Sequence, residues 1–182
     1  DKIHLKERGS GMKVIDLTVT LNEKMDVYPG DPAVTIEKVH TYDKNGWELR
    51  KLTLGTHTGT HVDAFSHMHK GKANLDEMPI ERFFGEAQVV QIDAQWPREI
   101  GLFFTAPLDE TYIDKLLHAK PSFVGGEMTE RLERMLLAND IITYTDLINL
   151  EKIPFHQTFT FYGLPLKIEK GDGSPVRAIA IL

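Results

Sequence analysis

Short runs rich in β-branched residues outnumber helical runs in this chain, and the two kinds follow no repeating order. KVIDLTVTL (13–21), AVTIEKVH (33–40) and WELRKLTL (47–54) read as strands. In the last of these, Leu52 and Leu54 alternate with Lys51 and Thr53. AQVVQID (87–93), PSFVGG (121–126), DIITY (140–144), TFTFYGLPLKI (158–168) and the end of GDGSPVRAIAIL (171–182) continue the series. Two helices interrupt it. DETYIDKLLHAK (109–120) has Asp109 as its N-cap, with His118 and Lys120 in its last turn. EMTERLERMLLAN (127–139) spaces Met128, Leu132, Met135 and Leu136 along one face. The arrangement predicts an α/β domain with a mixed sheet.

At 182 residues the chain suits one domain. DKIHLKERGSG (1–11) lacks strand alternation and ends in a Ser/Gly link before Met12, so it is read as an expression leader, with the domain over 12–182. With 21 basic and 27 acidic side chains the net charge is -6. That balance gives no general attraction to nucleic acid or to anionic lipid. No apolar run reaches the length of a membrane span. Cysteine is absent, which excludes disulfides and thiolate chemistry and suits a reducing cytoplasm.

Four of the eight histidines (His57, His61, His67 and His69) fall within thirteen residues. HTGTHVDAFSH (57–67) places Thr58, Gly59 and Thr60 between the first two, a poor helix interior. His57 is therefore expected at a strand end and Gly59 in a tight turn, with His61 and Asp63 opening a short helix. Two imidazoles and a carboxylate brought together by such a turn suit a divalent ion, zinc first and manganese second. If the helix continues, His67 shares a face with Asp63. It is then either a further ligand or an acid–base group beside a metal-activated water. His69 is assigned to solvent, and His4, His40, His118 and His156 are given no role.

These residues resemble the cyclase-like metal hydrolases that include bacterial kynurenine formamidase and isatin hydrolase, whose signature is H-x-G-T-H-x-D-x-P-x-H. His57, Gly59, Thr60, His61, Asp63 and His67 are in register, and Phe65 stands where the family usually has proline. IDLTVTLNEKMDVYPGDP and GDGSPVRAIAIL are similar to the family's two ends, so the likeness runs from Met12 to Leu182. It implies a swivelling β/β/α-type fold and a homodimer with the metal site near the subunit interface. His57, His61 and Asp63 would be ligands, His67 a proton carrier or second-metal ligand, and Tyr28 a substrate contact. It also implies hydrolysis of a small amide by metal-activated water. Arylformamidase activity, as in tryptophan breakdown, is the default. An isatin-type cyclic-amide hydrolase, or a member that binds metal or ligand without turnover, is the alternative. In the formamidases a distant His, and a Glu twelve residues later, complete a second metal site. Here Glu133 and Thr145 hold those places. Glu133 is then either a ligand or a solvated helix carboxylate. The first site is expected to be complete and the second altered.

Overall fold

A computed structural model describes residues 11–182. The leader assignment falls almost wholly on residues 1–10, outside the described residues. The strands are β1 (Val14–Asp16), β2 (Thr35–His40), β3 (Leu49–Thr53), β4 (His61–Asp63), β5 (Phe84–Val89), β6 (Gly101–Phe103), β7 (Phe123–Gly125), β8 (Ile142–Thr145), β9 (Thr158–Tyr162), β10 (Gly173–Pro175) and β11 (Ile179–Ile181). The α-helices are α1 (Tyr42–Asn45), α2 (Ile113–Ala119) and α3 (Glu130–Ala138).

Nine strands form one sheet in the order β1-β11-β9-β5-β6-β7-β8-β4-β10. The central run β5-β6-β7-β8 is parallel and every other pairing is antiparallel. β10 and β11 lie on one stretch of chain yet pair with opposite ends of the sheet. The backbone of Val176 donates to Thr60, while Leu17 donates to Ala178 and Ile148 donates to Leu17. The sheet therefore curls until its two margins meet beside β4. This is the expected α/β fold with a mixed sheet.

Alternation along the parallel strands builds two cores. Phe103 and Phe123 face the inside of the curl with Tyr144 and Phe161. Leu102 and Val124 face outward, under α2 and α3, with Leu116, Leu132 and Leu136. The inner rings fit because the neighbouring strand has no side chain opposite them. A Cβ on Gly101 would stand 1.9 Å from the Phe123 ring, and one on Gly125 would stand 2.3 Å from the Phe103 ring.

The sequence-based elements shift in several places. β5 starts at Phe84 rather than Ala87, because Phe84 and Gly85 pair with β9. The stretch 171–182 supplies two strands instead of one, since Pro175 and Val176 end one pairing and Ile179 begins another. In α3 the buried face is Leu132, Leu136 and Leu137, because the helix starts after Met128, behind its Thr129 cap. Asp109 caps as expected, accepting from the Thr111 backbone N–H, although the first turn is 3-10 before α2 begins. β2 and β3 form a separate hairpin that leaves Val39, Leu49 and Leu52 exposed, with Trp47 exposed beside it. No described helix is long and apolar enough to cross a membrane.

Candidate metal centre

β4 lies between β8 and β10, and its three residues divide between the two faces of the sheet. Val62 enters the inner core. His61 and Asp63, two positions apart, share the other face and are 8% and 1% exposed. The expectation that they open a helix is corrected: both edges of His61–Asp63 are already paired in the sheet. His57 lies in the turn that follows β3 rather than at the strand end, and Gly59 (φ 64°) makes the bend back into β4. His67 is on a 3-10 turn, Phe65–His67, so it reaches the cluster through that turn and not through a shared helical face.

The cross-strand neighbours of β4 fill in the site. Thr145 stands beside His61, while Thr143 and Gly173 flank Asp63. Gly173 leaves the space that the His57 ring occupies, since a Cβ there would be 2.4 Å from the ring. His57 spans two carboxylates, with Nδ1 2.6 Å from Asp63 Oδ1 and Nε2 2.9 Å from Asp172 Oδ2. His61 Nδ1 donates to the Gly59 carbonyl at 2.6 Å. A carbonyl only accepts, so the His61 lone pair is on Nε2, 3.6 Å from Asp63 Oδ1. The Thr145 hydroxyl donates to that nitrogen at 3.0 Å. The His67 ring lies 3.8 Å from the His57 ring centroid, with its Nδ1 3.5 Å from Asp172 Oδ2.

Charge is distributed unevenly across the cluster. Burial lowers the affinity of His57 for its second proton, but the hydrogen bonds and charges of Asp63 and Asp172 overcome this and raise its pKa to about 9. Burial pushes Asp63 up, but the hydrogen bond and the positive charge of His57 hold it below the usual carboxylate range. Burial and the positive charge of His57 lower His67 below the ordinary imidazole value. Burial and the Asp63 charge raise Glu133 to about 8. Thr143 Oγ1 lies 3.0 Å from both Asp63 Oδ2 and Glu133 Oε1, and one hydroxyl proton serves only one acceptor. The protonated Glu133 donates to Asp63, which raises Glu133 further and lowers Asp63, and the Thr143 hydroxyl donates to one of the two carboxyls.

Among the described residues, two groups bring ligand atoms within 4.8 Å of one another: His57, His61 and Asp63, and His57, His67 and Asp172. The donor set of the first suits a borderline ion such as zinc. Glu133 is in neither group; it sits behind Asp63 on the Oδ2 side. Tyr28 is 68% exposed on the loop between β1 and β2, and no described contact joins it to the histidines. His69 is turned to the Arg134 carbonyl, at 2.7 Å. Sequence reasoning missed Asp172, Thr143 and Gly173. The signal for two of them was GDG (171–173), which opens the stretch similar to the family's C-terminal end.

The family model described as Putative cyclase matches residues 15–135. Kynurenine formamidase of Salinibacter ruber is 30% identical over 205 residues, covering 92% of this chain and 97% of that protein. The Bacillus cytotoxicus kynurenine formamidase is 24% identical over 199 residues, covering 91% and 95%. Among solved structures, isatin hydrolase A from Labrenzia aggregata, bound to benzyl benzoate, superposes with a TM-score of 0.82 at 20% identity over 94% of each chain. A potential metal-dependent hydrolase with cyclase activity gives 0.75 at 20% identity, over 93% of this chain and 98% of that one.

Proposed function

This chain belongs to the cyclase family, and from that premise we propose that it is a metal-dependent hydrolase cleaving the C–N bond of a small amide, an aryl formamide first. The observation that carries this reading is the convergence of His57 Nδ1, His61 Nε2 and Asp63 Oδ1, with the remaining nitrogen of each histidine tied to an acceptor. These three residues would hold one divalent ion, zinc before manganese. Bound there, it would bring the pKa of water towards neutrality and polarise the amide carbonyl.

The chain's own residues supply the rest. Asp63 balances the charge from a site shut off from solvent. His67, which burial lowers below the ordinary imidazole value, takes a proton from the attacking water and returns it to the leaving nitrogen. Tyr28 would cover the aromatic part of the substrate. Glu133 is the weaker element of the proposed ligand set, since it meets Asp63 beside Thr143 on the Oδ2 side, away from the oxygen that faces the histidines. With Thr145 bonded to His61, any second ion would be held loosely.

The β2–β3 hairpin supports a homodimer, because an isolated two-stranded ribbon gains little stability without a partner for its apolar side chains. Leu52→Asp is expected to lower the mass seen by light scattering to that of a monomer. A monomer mass for the unsubstituted chain would count against the dimer.

The test of function is zinc-loaded protein assayed with an aryl formamide, an isatin-like lactam and a simple lactone, alongside metal analysis. Formamide turnover with one tightly held ion per chain is the expected result. Lactam turnover alone would move the substrate to the cyclic-amide class. Tight zinc with no turnover on any of the three would leave a binding protein.

A further inference from the structure

We propose that Asp172 is the positioning residue of this centre: it accepts the His57 Nε2–H and thereby turns the Nδ1 lone pair of His57 towards the ion. The proposal rests on the metal-site reading above and extends it to a residue on the far side of the imidazole.

Proton placement decides which nitrogen of an imidazole can ligate. A neutral imidazole carries one N–H, on either nitrogen. His61 has its choice made by the Gly59 carbonyl, which takes Nδ1–H. His57 has carboxylate oxygens at both nitrogens, Asp63 Oδ1 at 2.6 Å and Asp172 Oδ2 at 2.9 Å. Only with the proton on Nε2 does Nδ1 offer a lone pair on the side where His61 and Asp63 converge. Asp172 is the acceptor that selects this tautomer. With Asp172 removed, the proton is free to sit on Nδ1 against Asp63, and that form cannot ligate.

The surrounding chain fixes Asp172 for this task. Its second oxygen, Oδ1, accepts from the Thr56 hydroxyl at 3.0 Å. Its carbonyl accepts from the Ala64 backbone N–H at 2.9 Å, which ties it to the residue after β4. Gly171 before it accepts from Leu75 at 2.9 Å. Gly173 after it leaves the gap filled by the His57 ring. Both the acceptor and the room for the ring thus come from two adjacent residues, and Thr56 is adjacent to His57 itself. The same Oδ2 lies 3.5 Å from His67 Nδ1, so the carboxylate spans the ligand and the proton carrier. Ligation of an ion by Asp172 itself, with His57 and His67, would need both nitrogens of His57 as lone-pair donors whenever the first site is filled.

The experiment compares the full chain with Asp172→Ala, Asp172→Asn and His61→Ala. Zinc affinity is read by competition with a chromophoric chelator, zinc stoichiometry at saturation, and the visible spectrum of the cobalt-loaded proteins. Loss of a carboxylate behind a ligating histidine weakens metal binding about 10- to 100-fold. That loss is expected for Asp172→Ala, with one ion still bound at saturation and an altered cobalt spectrum. Asp172→Asn keeps an acceptor without the charge and should fall between. Asp172→Ala binding zinc within about threefold of the unsubstituted chain, while His61→Ala loses it, would overturn the positioning role alone. A fall from two ions to one in Asp172→Ala would make Asp172 a ligand and overturn it as well. Equal zinc affinity in His61→Ala and the unsubstituted chain would overturn both this inference and the metal site on which it rests.

Discussion

The two halves of the centre are built differently. His61 and Asp63 project from a strand paired on both edges, and Asp63 is 1% exposed. His57, His67 and Asp172 come from turns, with side chains 16%, 29% and 46% exposed. The strand half cannot move without breaking ladder hydrogen bonds, so it sets where an ion sits. The turn half meets solvent and carries the groups whose protons change. The strand half would only hold the ion, whereas the turn half would both hold it, through His57, and carry protons, through His67, so Asp63 and His67 substitutions should fail in different ways.

The largest effect is expected in the strand half. Asp63→Ala should abolish both tight zinc binding and hydrolysis, as measured by metal analysis after dialysis and by turnover. His67→Ala, in the turn half, should retain its zinc and lose about 10²- to 10⁴-fold in kcat, the range for removing a general acid–base group. Equal zinc loss in the two variants would erase the distinction. An active His67→Ala would sharpen it differently, by giving the proton transfer to another group.

Next in size is the pH dependence of zinc binding. An ion can bind His57 Nδ1 only after a proton leaves, and in the metal-free cluster that proton has a pKa of about 9. Apparent zinc affinity should therefore rise about tenfold per pH unit from neutrality and level off near 9. A flat profile from pH 7 to 9 would mean that His57 does not ligate.

The smallest effect is on the metal-free fold. The folded pKa of His57, about 9, is above the ordinary imidazole value of 6.5. Its protonation thus contributes stability fully below pH 6.5, and that stability is lost as pH rises through 9. Glu133, raised from 4.5 to about 8, acts with the same sign: its contribution is lost as pH rises from 4.5 through 8. The metal-free melting temperature should fall from pH 6 to 9. Glu133→Gln should flatten that fall in part, and a wild-type slope in this variant would remove Glu133 from the account.

The legible part of the site was the local part. His57, His61, Asp63 and His67 fall within eleven residues, so a turn alone could bring them together and their clustering was visible. Asp172 reaches His57 across 115 positions and Thr143 reaches Asp63 across 80, and no local periodicity encodes those meetings. The same limit explains β4. Three residues are too few to establish an alternation, and their strand character comes from β8 and β10 rather than from their own propensity. α2 and α3 were readable because an amphipathic helix carries its pattern within a few turns. Glu133 was singled out by family resemblance, and its position beside Thr143 and Asp63 depends on how α3 packs on β8, which the helix pattern does not specify.

The placement of β4 also has a consequence for the order of events during synthesis. Its partners are β8 and β10, which the ribosome releases long after His61 and Asp63 have emerged. Pairings this distant in sequence close slowly, and the two residues are held on both edges only when β8 and β10 are both available. A nascent chain would therefore carry its histidines unassembled for most of its synthesis. An ion that binds only the finished site would arrive last and slow the departure of β10, so the lifetime of the completed fold would depend on how much metal the surroundings supply.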